Sequence, residues 1–206
     1  MTITSFIIII CWIVFILVWA VSAGNVKRDV ESRRFRNQKI SILIMRIAAV
    51  CIVVWLIGEL ASGRLGSQFT HRPFLNNFSS IPQTFFQNPT TNFIGVLFCV
   101  LGIGFAVWAR FHLGREWSSH PTVKEGHQLI TSGPYAYVRH PIYTGILLAV
   151  LGSALATGIY WIIYFLIILI VFLRRVKIEE QLMTKMFPDQ YPKYKARTKA
   201  LIPFIW

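Results

Sequence analysis

Four long apolar runs with almost no charged residues constrain this chain of 206 residues more than any other feature. Residues 3–23, 92–109 and 146–173 carry no Asp, Glu, Lys or Arg, and residues 40–58 carry only Arg46. A helix that spans a bilayer needs roughly 20 apolar residues. The runs therefore predict an all-α, polytopic membrane protein and argue against a soluble domain.

The first apolar run could be mistaken for a secretory signal, because Val21, Ser22 and Ala23 resemble the small residues of a cleavage site. However, no basic segment precedes the run, and the run is longer than the roughly 7–15 residues typical of a signal core. We therefore interpret it as the first transmembrane helix.

Most of the basic residues behind the net charge of +13 lie in residues 27–39 and in the tail from residue 174 onward. The 61–91 loop holds only Arg64 and Arg72. Because basic loops tend to stay in the cytoplasm, the two basic segments are predicted to be cytoplasmic and the N-terminus outside. Attraction to anionic lipids accounts for such clusters, so the charge gives no indication of nucleic-acid binding.

The last apolar stretch, residues 142–173, is too long for one membrane span and short for two. Residues 156–158 read Ala-Thr-Gly and interrupt it near its middle. Since a helix rises about 1.5 Å per residue, we predict a tight helical hairpin whose second arm continues through Glu180. The total is then about five transmembrane helices, of which the hairpin forms the fourth and fifth. Residues 1–206 are predicted to form a single domain.

The unusual polar residues lie after the third and after the fifth predicted helix. The first group contains His112, Arg115, Glu116, Trp117, His120, His127, Tyr135, Tyr137, Arg139, His140 and Tyr143. The second group is Arg175, Glu179 and Glu180. The first three predicted helices occupy residues 1–112, and the predicted topology places both groups of polar residues on the cytoplasmic side. Their convergence indicates a small-molecule site in the part formed by residues 113–206.

The sequence around Pro141 predicts the start of the fourth helix. Proline disfavours helical backbone at the preceding residue, His140, and suits the first position of a helix. His140 then lies at a helix N-terminus, where backbone N–H groups attract polar or anionic groups. Arg175 and Glu179 share a helix face, either as an ion pair or as a ligand-binding pair. The histidines lack metal-site spacing, so no metal is expected.

Several motifs in the second half of the chain can be read together. They are GHQLITSGPY at 126–135, RHPIYTG at 139–145, EEQL at 179–182, FPDQY at 187–191 and ALIPF at 200–204. These motifs resemble those of the isoprenylcysteine carboxyl methyltransferase family. The family consists of integral membrane enzymes that use S-adenosylmethionine, and phospholipid methyltransferases are related to it. The likeness covers about residues 113–206.

The resemblance implies a cytoplasmic S-adenosylmethionine pocket between the 127–143 segment and the helix and tail of 175–194. The matching cofactor positions are His127, Gln128, Leu129, Ile130, Tyr135, His140, Pro141, Ile142, Tyr143 and Glu179. Arg175 falls where the family places a substrate-orienting arginine. A further cofactor contact within residues 114–120 stays unassigned. The implied acceptor is lipid-like, with the carboxylate of an isoprenylcysteine or another amphiphilic acid as the methylated group.

Three other functions stay open on sequence alone. A phospholipid amine N-methyltransferase would need a base, for which His140 and Glu180 are the nearby candidates, whereas a carboxylate is already ionised. An NADPH-dependent membrane reductase would share the C-terminal likeness, although such reductases are usually longer. A non-catalytic lipid-binding membrane protein would tolerate replacement of His140, Tyr143 and Glu179.

Overall fold

A computed structural model describes residues 3–22, 88–117, 128–158 and 160–203. The described residues form five α-helices, and no extended strand occurs among them. The helices are α1 (Ile3–Ser22), α2 (Pro89–Leu113), α3 (Pro141–Thr157), α4 (Tyr160–Met186) and α5 (Tyr191–Arg197). Short 3-10 turns occupy Gly114–Glu116 and Gly133–Ala136. The all-α prediction therefore holds for this part of the chain.

Two of the described helices, α1 and α2, are long and apolar enough to cross a membrane. The helix α3 is apolar but shorter. The predicted helix of residues 40–60 lies outside the described residues, so the number of five transmembrane helices stays a prediction.

The break between α3 and α4 lies where the sequence predicts it. Gly158 follows α3 with a φ of +129°, a backbone conformation that glycine adopts readily. Its N–H donates to the Ala154 carbonyl at 3.1 Å and closes the helix. The chain then returns antiparallel, since Tyr143 near the start of α3 stacks on Phe172 of α4 with ring centroids 4.3 Å apart.

Four glycines let α2 and α3 pack in close antiparallel contact. A Cβ atom at Gly102 would lie 2.5 Å from the carbonyl oxygen of Gly145, and a Cβ atom at Gly152 would lie 2.5 Å from that of Gly95. Small residues allow helix backbones to approach each other where lipid weakens the hydrophobic drive for association. This contact fixes the start of α3 beside the C-terminal half of α2.

A polar contact and an aromatic stack join α1 to this pair. The Nε1 atom of Trp12 donates to Oγ of Ser153 at 3.1 Å, and that hydroxyl donates to the Ala149 carbonyl at 2.9 Å. Trp12 also stacks on Trp161 of α4, with ring centroids 5.9 Å apart. Trp12, Ala149 and Trp161 belong to one buried apolar core to which α1, α2, α3 and α4 all contribute.

The tail after α5 folds back onto the segment that precedes α3. The backbone N–H groups of Arg139 and His140 donate to the carbonyls of Lys199 at 2.8 Å and Ala200 at 3.0 Å. Val138 and Lys199 form a parallel β-bridge. The tail therefore holds the backbone on which His140 sits.

Candidate active site

His140 occupies the N-cap position of α3, directly before Pro141. Its side chain makes no capping hydrogen bond, and the imidazole instead reaches α4. Its Nδ1 lies 3.3 Å from Oε2 of Glu179, and its Nε2 lies 3.7 Å from Oε1 of Glu180. The structure thus brings the segment before α3 and the paired glutamates of α4 into one cluster.

Three side chains share the carboxylate of Glu179. The hydroxyl of Tyr143 donates to Oε1 at 2.5 Å, and Nη2 of Arg175 donates to the same oxygen at 3.4 Å. Arg175 and Glu179 thus form the ion pair that is one of the two interpretations of their spacing. Burial alone would raise the pKa of Glu179, but His140, Arg175 and Tyr143 outweigh burial and lower it. Glu179 is anionic at neutral pH, with 20% of its side chain exposed.

The carboxylates of Glu179 and Glu180 govern the protonation of His140. Burial alone would lower the pKa of the imidazole, but Glu179 and Glu180 outweigh burial and raise it. Among the described residues, Nε2 of His140 is buried and has no hydrogen-bond partner. This nitrogen is thus placed to bind a polar atom of a ligand.

Three rings form a row beside the carboxylate. Tyr143 lies between Phe172, at 4.3 Å, and His140, at 5.5 Å, measured between ring centroids. The guanidinium carbon of Arg175 lies 5.8 Å from the centroid of the Tyr143 ring. The site therefore combines a carboxylate, a buried arginine and a stack of aromatic rings.

Glu180 ties α4 to the tail. Its Oε1 accepts from Nε of Arg139 at 2.8 Å, and its Oε2 lies 2.6 Å from Nζ of Lys195. A second nitrogen of Arg139 donates to the carbonyl of Thr198. Burial would raise the pKa of Glu180, but His140, Lys195 and Arg139 lower it to about 2.

Arg139 is among the unusual polar residues that the sequence places at the site, but the sequence predicts no contact of Arg139 or Lys195 with Glu180. Their contacts to Glu180 depend on the return of the tail, which leaves no periodic pattern in the sequence. The position of Arg139 directly before His140, inside the RHPIYTG motif, is the only signal that could have pointed to it.

The predicted cofactor segment 127–130 divides between the surface and the interior. His127 lies outside the described residues, and Gln128 is exposed. Leu129 and Ile130 are half-buried, and Ile130 packs against the apolar cluster that contains Tyr135. The end of this segment therefore packs against the same apolar cluster as Tyr143.

Tyr135, Pro141 and Ile142 are buried beside the polar cluster. Tyr135 and Ile142 are buried in one cluster with a residue of α2, and the Pro141 side chain is fully buried. The ring of Tyr135 stacks on His112 with centroids 6.4 Å apart, and its carbonyl accepts from the Tyr194 hydroxyl at 2.6 Å. These residues position the polar cluster.

The polar cluster can bind a small molecule that carries both signs of charge. His140, Arg175 and Tyr143 supply hydrogen-bond donors, and Glu179 supplies an acceptor. Within the ranges that the structure describes, no group of three or more His, Cys, Asp and Glu side chains could hold a metal ion.

Comparisons with known proteins identify the same part of the chain. Residues 90–190 match the family model described as phospholipid methyltransferase. The chain is 35% identical over 81 residues to protein-S-isoprenylcysteine O-methyltransferase of Schizosaccharomyces pombe, which covers 38% of this chain and 34% of that protein. The human protein of the same name is 33% identical over 116 residues, covering 54% and 40%. The chain thus matches less than half the length of these relatives.

A solved structure shares the fold. It is the eukaryotic intramembrane Ras methyltransferase, isoprenylcysteine carboxyl methyltransferase, determined without a monobody. The TM-score is 0.50 at 23% identity, and the superposition covers 80% of this chain and 68% of that chain. This likeness concerns the fold.

Proposed function

We propose that this chain is a member of the isoprenylcysteine carboxyl methyltransferase family and an integral membrane enzyme that methylates a lipid-linked carboxylate. The methyl donor in this proposal is S-adenosylmethionine, and an isoprenylcysteine is the acceptor. The observation that carries the proposal is the carboxylate of Glu179, on which His140, Tyr143 and Arg175 converge from two helices.

The residues present fit S-adenosylmethionine. This cofactor supplies an activated methyl group on a positively charged sulfonium. Glu179 can accept from the ammonium of its amino-acid end, and the buried Nε2 of His140 can hydrogen-bond a polar atom. The stacked rings of Tyr143 and Phe172 are aromatic groups of the kind that attract a cation.

Arg175 is the residue that would orient the acceptor. It is only 5% exposed, and its contact with Glu179 and the Tyr143 ring holds it toward the site. Guanidinium groups recognise carboxylates through charge-assisted hydrogen bonds. An ionised carboxylate needs no general base, so the main contribution of the protein is to hold acceptor and donor in reacting geometry.

The location of the cluster suits a lipid-linked acceptor. His140 begins the apolar helix α3, and Glu179 follows the apolar part of α4. An acceptor could therefore enter from the bilayer while the cofactor enters from water. Donor and acceptor charges neutralise each other during transfer, so a site that excludes water favours the reaction.

Two measurements on detergent-purified protein test the proposal. Calorimetry measures S-adenosylmethionine binding, and transfer of a radiolabelled methyl group to an amine-blocked farnesylcysteine measures activity. Glu179→Gln and His140→Gln should weaken cofactor binding by about tenfold or more, which equals about 1.4 kcal/mol. Arg175→Met should chiefly lower kcat/KM for the acceptor. Lys177→Gln, an exposed change on the same helix, should match wild type.

A second acceptor class has one observation in its favour, the match to the phospholipid methyltransferase family model. Phosphatidylethanolamine should therefore be assayed beside farnesylcysteine. Methylation of the phospholipid alone would replace the proposed acceptor, with His140 or Glu180 as the base that an amine needs. Binding of NADPH in place of S-adenosylmethionine would contradict methyl transfer. Binding of neither would favour a non-catalytic lipid-binding role.

The orientation in the membrane is part of the proposal. The basic segment of residues 27–39 and the basic tail support a cytoplasmic site and C-terminus, with the N-terminus outside. Gly66→Cys and Gln190→Cys, each introduced into a cysteine-free protein, should react with impermeant reagents from opposite sides of sealed vesicles. Labelling from the same side would refute this topology.

A further inference from the structure

Arg110, in the last turn of α2, is a buried arginine that forms no ion pair within the described part of the chain. The residue is 2% exposed. Its Nη2 donates to the Ser22 carbonyl at 2.6 Å, and its Nη1 donates to the Gly114 carbonyl at 3.0 Å. The guanidinium carbon lies 4.4 Å from the ring centroid of Trp117. Each of these contacts is made by a neutral group.

Among the described residues, the groups that contact Arg110 therefore do not balance its charge. A buried charge is costly unless an opposite charge and a full set of hydrogen bonds compensate it. The Nε atom of Arg110 is also buried and lacks a hydrogen-bond partner among the described residues. An anion at this nitrogen would supply both the missing charge and the missing acceptor, and guanidinium groups suit phosphate and carboxylate oxygens.

A cavity of about 350 Å³ lies beside this side chain, between the C-terminal ends of α1 and α2. Its lining consists of Leu17, Val18, Val21, Ser22, Arg110, Phe111 and Gly114. The volume exceeds by roughly tenfold the ~30 Å³ that one water molecule occupies. Leu17, Val21 and Phe111 are exposed on helices long enough to cross a membrane. A fitting occupant therefore has an apolar body and one anionic group.

We infer that this cavity binds a bilayer phospholipid as a resident ligand. The guanidinium of Arg110 binds the phosphate, and the glycerol and upper acyl carbons contact Leu17, Val18 and Phe111. Both helices end at this level, where headgroups meet the hydrocarbon region of a bilayer. None of the proposed cofactor or substrate residues lines the cavity, so the inference is independent of the proposed methyl transfer.

The bound lipid can be counted directly. Wild-type protein, after repeated exchange into fresh mild detergent, should retain about one phospholipid per chain by native mass spectrometry and phosphorus analysis. Arg110→Gln should retain several-fold less, because the charge-assisted hydrogen bond is lost. Arg174→Gln, which replaces an exposed arginine of α4, should retain the wild-type amount.

A second variant guards against misfolding of the first. Val18→Trp fills the cavity and leaves Arg110 in place, so it should also lose the lipid. In addition, phosphatidylglycerol in mixed micelles should raise the Tm of delipidated wild type but not of Arg110→Gln. Inorganic phosphate at the same concentration should leave the Tm unchanged. Unchanged lipid content in both variants, or equal stabilisation by inorganic phosphate, would overturn the inference.

Discussion

His140 at the start of α3 and Glu179 of α4 face each other at 3.3 Å between Nδ1 and Oε2. The imidazole also lies parallel to the ring of Tyr143, and the Tyr143 hydroxyl donates to the other oxygen of Glu179. One carboxylate therefore joins two neighbouring side chains of α3 to α4. The protonation of His140 should consequently affect the stability of the whole hairpin.

The protein should lose stability as the pH rises above about 6.5. The glutamates raise the pKa of His140 in the folded protein above its usual value of about 6.5. The stability that protonated His140 contributes is therefore complete below about pH 6.5 and is lost as the pH rises through the folded pKa. Thermal unfolding across neutral and alkaline pH should show this decline. A decline of equal size in His140→Gln would contradict the assignment.

Arg139→Ala should loosen the tail from the hairpin. The change removes the hydrogen bonds to Glu180 and to the Thr198 carbonyl and should cost about 2–3 kcal/mol. Limited proteolysis should then cut earlier within residues 195–203, and the Tm should fall. Lys193→Ala, an exposed change on α5, serves as the control. Equal protease resistance of the two variants would show that Arg139 does not hold the tail.

Gly102→Ala should destabilise the protein, whereas Gly104→Ala should not. A Cβ atom at Gly102 would lie 2.5 Å from backbone atoms of α3, while a Cβ atom at Gly104 meets no atom within 4 Å. Overpacking of this kind costs about 1–3 kcal/mol. Tm values of the two variants, purified side by side, test the pair. Similar values would argue against close packing of α2 and α3.

Ser153→Ala and Trp12→Phe both remove the same hydrogen bond, but its loss should cost more stability in Ser153→Ala. The first change leaves the buried Nε1 of Trp12 without its acceptor, a penalty of about 1–3 kcal/mol. The second leaves the Ser153 hydroxyl bonded to the Ala149 carbonyl. A double-mutant cycle on Tm should show coupling of the two sites. Strict additivity would mean that this contact contributes nothing to the docking of α1.

Local signals predicted the helix limits that matter for the site. Pro141 marks the start of α3 because proline suits the first helical position, and Gly158 marks its end because it takes a positive φ. The spacing of Arg175 and Glu179 predicted that they share a helix face, since residues four apart lie on one side of a helix. Each of these features depends on neighbours within a few residues.

Features that depend on distant packing were not predictable in the same way. The contact of Tyr143 with Glu179 requires the particular antiparallel register of α3 and α4. The anchoring of Glu180 by Arg139 and Lys195 requires the return of the tail. The buried Arg110 has the sequence appearance of a basic residue at the end of a helix, and only the packing of α1 shows that it is enclosed.

The pairing of the tail with Arg139 and His140 has a consequence for biosynthesis. Lys199 and Ala200 supply the carbonyls that hold the backbone before α3, yet a ribosome adds them after all of α3 has been synthesised. Until then, the backbone N–H of His140 lacks the tail carbonyl to which it donates. A nascent chain, or one terminated before Thr198, should therefore insert its helices while remaining unable to assemble the site.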